Sequence, residues 1–219
     1  MNRRTCYWLV LLALISVTVS ACSAPSWLAA SSAARSGDVL FQDDFSNPNG
    51  GWDVWSEGGS SVLYEEGGLR FRVNQSHFDF WSRPGKHYDN VRLAVNATKL
   101  GGPDNNDFGL VCRYQDKENY YAFLVGSDGY QGIVKVQEGV YSILSGENLQ
   151  YSEVIRQGTA SNKIQAECIG TSLLLIVNGE PVAAVQDAQF GSGEIGLIAG
   201  TFETPGVDIL FDDFVATEP

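Results

Sequence analysis

Two cysteines and two pairs of neighbouring aspartates are the residues of this chain whose chemistry is easiest to read. Cys112 ends the run Phe108-Gly109-Leu110-Val111-Cys112, and Cys168 ends Ile164-Gln165-Ala166-Glu167-Cys168. Each shares the apolar phase of its run, with Phe108 and Leu110 in one case and Ile164 and Ala166 in the other. That phase predicts a buried Cys112–Cys168 disulfide. Asp43-Asp44 and Asp212-Asp213, like Glu65-Glu66, are adjacent in sequence. Neighbours on a strand point to opposite faces, so no such pair can flank one scissile bond. His77 and His87 are the only histidines; neither lies in a nucleophile motif, and there is no Gly-x-Ser-x-Gly and no Cys-x-x-Cys. The supply of zinc ligands is thin, and no phosphate-cradling glycine loop opens a helix. Enzymatic chemistry is therefore the less expected reading.

The aromatic residues point to binding. Flat sugar faces stack on tyrosine and tryptophan rings while carboxylates and amides take the hydroxyls. Trp52, following Gly51, reads as core. In Phe78-Asp79-Phe80-Trp81 and in Tyr120-Tyr121, consecutive aromatics cannot all face one core, so one of each pair must face the other way. Trp81, Tyr121 and Tyr130 are the candidates for a sugar-stacking platform on the open face of a sheet.

The elements that must position these residues are strands. Leu69–Val73, Val91–Ala97 and Ile164–Cys168 alternate apolar with polar residues, the period of a sheet with one face on a core. Turn signals separate the runs, at Glu66-Gly67-Gly68, Arg83-Pro84-Gly85 and Ser127-Asp128-Gly129. Asn178-Gly179 stands between Leu173–Val177 and Glu180–Val185 and supplies the two positive φ angles of a type I′ hairpin. Asp104-Asn105-Asn106-Asp107 spaces oxygens like a cation loop but lacks the glycine and terminal glutamate of an EF-hand, and reads as a turn. No stretch after residue 38 has helical periodicity. The expected fold is all-β, a two-sheet antiparallel sandwich over residues 39–219.

The beginning of the chain carries a different signal. Arg3 and Arg4, an apolar run from Trp8, and small residues leading to Cys22 form a secretory signal over residues 1–21. The apolar run is shorter than the ~20 residues a bilayer-spanning helix needs. Val19-Ser20-Ala21-Cys22 resembles the bacterial lipobox, which implies cleavage before Cys22 and a lipid on its thiol. Residues 22–38 then read as the lipidated cysteine and a Ser/Ala-rich tether, and the location as extracytoplasmic and membrane-anchored. The chain has 14 Lys+Arg against 26 Asp+Glu, a net charge of −12. Such acidity repels phosphate backbones and argues against a nucleic-acid partner.

Phe41-Gln42-Asp43-Asp44-Phe45 near one end and Phe211-Asp212-Asp213-Phe214 near the other suggest that first and last strands pair. With Gly51-Trp52, Phe108–Tyr114, Asn119–Phe123, Val177-Asn178-Gly179 and Gly193–Leu197 between them, the chain resembles the concanavalin A-like, laminin-G-like jelly rolls of bacterial surface proteins. The 3-keto-disaccharide hydrolase family shares that broad fold, but none of its catalytic residues can be carried over to a position here. The Glu-x-Asp-x-x-Glu run of the glucanases on this fold is also missing. Sandwich carbohydrate-binding modules of this kind often hold calcium where first and last strands meet, which implies a structural calcium at Asp43, Asp44, Asp212 and Asp213. The alternative is that these aspartates are edge charges. The function expected is that of a lipid-anchored, non-catalytic carbohydrate-binding module at the cell surface. A structural or adhesive protein-interaction domain and a divergent glycosidase-type hydrolase are the alternatives.

Overall fold

The computed structural model describes residues 37–219, so Cys22 and most of the segments read above as signal and tether lie outside the described residues. Seventeen strands follow one another: β1 (Val39–Asp43), β2 (Trp55–Glu57), β3 (Ser60–Glu65), β4 (Gly68–Val73), β5 (Phe78–Ser82), β6 (His87–Tyr88), β7 (Val91–Gly101), β8 (Asn106–Asp116), β9 (Asn119–Val125), β10 (Tyr130–Gln137), β11 (Val140–Ile143), β12 (Gln150–Tyr151), β13 (Ser161–Ile169), β14 (Ser172–Val177), β15 (Glu180–Gln186), β16 (Gly193–Thr201) and β17 (Val207–Thr217). No helix occurs among the described residues.

The strands form two antiparallel sheets. The first runs β15-β14-β13-β7-β17-β4-β3-β2, with β1 added to β17; the second runs β11-β10-β9-β8-β16-β5, with β12 on β10 and β6 on β16. The sheets face each other across one apolar layer. Alternation sets the inner face of the first sheet: Val91, Leu93, Val95 and Ala97 of β7 and Ile164, Ala166 and Cys168 of β13 are buried. Against them stand Phe108, Leu110 and Cys112 of β8, Tyr121, Phe123 and Val125 of β9, and Ile195, Leu197 and Ala199 of β16. The Asn-Gly turn forms as its sequence requires, with φ of 52° at Asn178 and 91° at Gly179. The Asn178 side chain also accepts from Lys163 N and donates to Val154 O, which fixes the hairpin to its neighbours.

The terminal strands pair, Asp43 lying opposite Phe214. Strand β4 pairs with β17 as far as Phe211, and β1 takes over from Phe214; the register slips between them, where Asp213 has a φ of 52°. Phe41, Phe45, Trp52 and Phe214 pack together at this end, Trp52 and Phe214 edge to face at 5.0 Å.

Cys112 of β8 and Cys168 of β13 are joined by a disulfide that ties one sheet to the other, with the Cα atoms 6.8 Å apart and a sequence separation of 56. The next residue, Arg113, has a φ of 51° and bulges β8 so that its guanidinium turns inward. Although only 1% exposed, it donates to the carbonyls of Asp89, Phe190 and Gly170. Closing a loop of this length removes unfolded-state entropy worth about 3–4 kcal/mol. Replacing both cysteines by alanine is therefore expected to lower unfolding stability by roughly that amount, measured as a drop in the urea midpoint with a steeper slope from the less compact unfolded chain.

Candidate functional site

The outward face of the second sheet is where the chain departs most from a plain sandwich. Residues facing each other across neighbouring strands share a face, so the register defines its rows. One row runs Asp79, Gly200, Asp107; the next runs Trp81, Ile198, Gly109, Leu124, Gly132; a third runs Gly196, Val111, Ala122, Val134, Ile143. Glycine therefore occupies much of the floor. Where a side chain is absent on a pleated face, neighbours or a ligand can come close to the backbone.

Aromatic rings stand around this floor. The Trp81 indole donates to the Tyr114 hydroxyl at 3.1 Å, and Tyr114 and Tyr120 stack at 5.7 Å. The Arg83 guanidinium lies 4.3 Å from the centre of the Tyr114 ring, and Glu194 and Asp53 hold it there. On the far side Tyr141 of β11 stands opposite Val136, and Tyr130 pairs with Tyr151, ring edge to ring face. A cleft of about 320 Å³ opens beside β5, lined by Trp55, Phe78, Asp79, Phe80, Trp81 and Lys117.

Asp79 and Asp107 meet over Gly200. A Cβ at that glycine would collide with Oδ1 of both carboxyls. Burial pushes the Asp79 carboxyl up to about 6, held lower than it would otherwise stand by a hydrogen bond from Asp107. Asp107 is pushed up further, first by burial, then by the Asp79 charge and by donating that hydrogen bond. Two carboxyls this close cannot both ionise cheaply, so burial and the neighbouring charge favour the protonated form of Asp107. Its field reaches the tyrosines. Burial first, and then the charges of both aspartates, suppress ionisation of Tyr120 and Tyr141. Tyr141 leaves 46% of its surface to solvent, yet its hydroxyl end is crowded enough for burial to lead.

The residues singled out from the sequence fall in three places. Trp81 is half-buried on the outward face, and Tyr130 is exposed on it two residues before Gly132. Four strand steps of ~4.8 Å separate their strands, so they form opposite walls about 19 Å apart. Tyr121 differs from the expectation. It occupies the inward phase of β9, fully buried against Phe190, while Tyr120 takes the outward phase. Its hydroxyl donates to Asp187 at 2.5 Å and accepts from Phe190 N, and burial pushes its pKa up to about 12.

Asp43, Asp44 and Asp213 line a separate hollow of about 340 Å³. Asp43 accepts from Phe45 N and the Trp52 indole, Asp44 from Ser46, Asp213 from Asn96, and Asp212 from Asp213 N. Among the described residues no three His, Cys, Asp or Glu side chains are grouped to hold a metal ion.

Asp79, Asp107, Gly200, Tyr120 and Tyr141 are the site residues that sequence reasoning passed over. Asp107 belongs to β8 rather than to a turn, because the buried Asn106 side chain bonds Ser127 and starts the strand there. A signal was present: each aspartate stands alone in an aromatic or apolar run, Phe78-Asp79-Phe80-Trp81 and Asp107-Phe108-Gly109-Leu110-Val111.

Compared by sequence, the chain matches no family model and no curated protein. Compared by structure, it is similar to the carbohydrate binding module CBM66 from Bacillus subtilis, with a TM-score of 0.61 and 15% identity over 77% of this chain and 96% of that one. It is similar to the GH43 BlXynB protein from Bacillus licheniformis, with a TM-score of 0.63 and 14% identity over 83% of this chain, and it spans 40% of that protein's length. A Bacillus subtilis protein of unknown function with a galectin-like fold gives a TM-score of 0.59 and 12% identity, over 84% of this chain and 97% of that one. At these identities the likeness is one of fold, the two-sheet jelly-roll sandwich.

The shared proton makes a test of the site. A carboxyl whose folded pKa is raised adds stability that is complete below its unfolded value of about 4 and is lost as pH rises through the folded value. For Asp79 the loss runs between pH 4 and about 6, and for Asp107 it continues above that. In urea unfolding at pH 4, 6 and 8, the parent is expected to lose on the order of 1–3 kcal/mol relative to Asp107→Asn as pH rises. A difference that stays flat would mean that the two carboxyls do not share a proton.

Proposed function

We propose that this protein is a lipid-anchored, non-catalytic glycan-binding module that holds its ligand on the outward face of the second sheet. The observation that carries the reading is the cleft of about 320 Å³ beside β5, where Trp55, Phe78, Phe80 and Trp81 stand around the Asp79 carboxyl. A sugar ring entering such a cleft stacks on an aromatic wall while its polar groups reach the Asp79 carboxyl. The similarity to a protein named as a carbohydrate binding module supports this use of the fold.

The contact between Asp79 and Asp107 weighs against hydrolysis. Carboxyls that flank a glycosidic bond stand about 5–5.5 Å apart when one is a nucleophile, and about 6.5–9.5 Å apart when a water must fit. Two carboxyls whose Oδ1 atoms both crowd the Cβ position of Gly200 stand closer than either arrangement needs. The membrane part of the proposal rests on Val19-Ser20-Ala21-Cys22 alone.

Two measurements test the reading. On a glycan array probed with the full-length protein in detergent, in calcium and again in EDTA, one sugar class is expected to bind. Trp81→Ala is expected to weaken that binding at least tenfold with the fold intact. Comparison of the two buffers reports on calcium, and a blank array in both would turn the proposal toward a protein partner. Separately, Cys22→Ser is expected to move the protein from the membrane to the soluble fraction, and retention in the membrane would remove the anchor.

A further inference from the structure

We infer that the Asp79–Asp107 pair receives the free amino group of an amino sugar, so that the ligand class of this face is glycans bearing primary ammonium groups. The inference rests on the glycan-binding proposal and narrows it.

The pair lacks a positive partner. Neither carboxyl enters an ion pair among the described residues, and Asp107, 4% exposed, has an Oδ1 with no donor. The groups around it do not supply a charge. Strand β5 adds Trp81, β16 only Gly200 and Ile198, β9 Tyr120 and β11 Tyr141. Asp128, beside Gly126 at the end of β9, is itself acidic. Lys117 stands at the mouth of the cleft with its Nζ directed to Glu118 at 3.8 Å. By contrast, Lys135 answers the half-buried carboxylate of Asp187. Here one proton stands where a cation would.

The chemistry selects the cation. Calcium takes six to eight oxygens, and no third acidic, His or Cys side chain joins these two. An ammonium has three donors, which two carboxyls and a tyrosine hydroxyl can accept, and the surrounding ring faces attract it. Asp79 lines the cleft, so an amine enters from that side. The exchange balances: the ammonium keeps its three protons, the pair becomes two carboxylates, and the proton of Asp107 leaves to solvent. An N-acetylated sugar has no such charge and cannot displace it.

The experiment is calorimetric titration of the full-length protein in detergent, at neutral pH and physiological salt. The probes are a glucosamine oligosaccharide, its N-acetylated counterpart, a neutral xylan oligosaccharide and a lysine peptide of equal charge. We expect the glucosamine oligomer to bind at least tenfold more tightly than the others. Heats in buffers of different ionisation enthalpy are expected to show net proton release, approaching one per site as the pH is lowered from 8 to 7 and more of the free amine is already protonated. Asp79→Asn, which keeps the shape of the half-buried side chain, is expected to abolish both the preference and the proton release, with its melting curve checked for an intact fold. Equal binding of the N-acetylated or neutral oligomer, unaffected by Asp79→Asn, overturns the inference and leaves the glycan-binding proposal standing. Equal binding of the lysine peptide overturns it as simple attraction to an acidic chain. A calcium-dependent rise in melting temperature that Asp79→Asn removes assigns the pair to a metal instead. If no oligosaccharide binds at all, the inference falls, and the glycan array decides the wider reading.

Discussion

Strands β8 and β9 are apolar on both faces, and much of the molecule follows from that. Their inward residues, Phe108, Leu110, Tyr121 and Phe123, meet the first sheet. Their outward residues, Val111, Tyr114, Tyr120, Ala122 and Leu124, form a second buried cluster with Val134, Val136 and Ile198. A sheet with one wet face needs one covering layer; this one needs two. At ~25 cal/mol per Å², leaving the second cluster open would forfeit several kcal/mol. The cover on that side is made of Trp81 and Ile143, with Leu149 reaching over Gly132. The ring proposed to meet a sugar is thus also part of what shields the sheet, which places recognition and stability on the same side chain.

Two buried charges show contrasting solutions. Arg113 is almost fully enclosed and is met by three backbone carbonyls, so the disulfide-bearing bulge is held from three directions. Asp107 is enclosed to a similar degree but is met only by another acid. Burying a carboxyl without a counter-charge is expensive, and proteins concentrate such imbalances where a ligand completes them. The glycine between the two acids makes their approach possible, since any side chain at Gly200 would hold them apart.

The parts of this architecture that were legible in the sequence are those where one face is dry and one is wet. Val91–Ala97 and Ile164–Cys168 alternate plainly, the Asn-Gly turn announces its hairpin, and the cysteines fall in the phase that buries them. Where both faces are buried, alternation loses its meaning. In β9 nothing in Tyr120-Tyr121 says which ring points inward, and the phase is settled by pairing with β8 and β10. The carboxyl pair was hidden for another reason. Its members lie 28 positions apart by number, on strands that are not sequence neighbours, and β16, from much later in the chain, brings them together.

Strand β17 sits inside the first sheet, with β7 along one side and β4 and then β1 along the other. A growing polypeptide that has not yet reached Val207 therefore presents two unsatisfied inner edges rather than a nearly complete sheet. In the finished sheet β17 is thus the keystone that joins three earlier segments, and without it β7 and β4 would each carry an open edge of the kind that invites pairing with another chain.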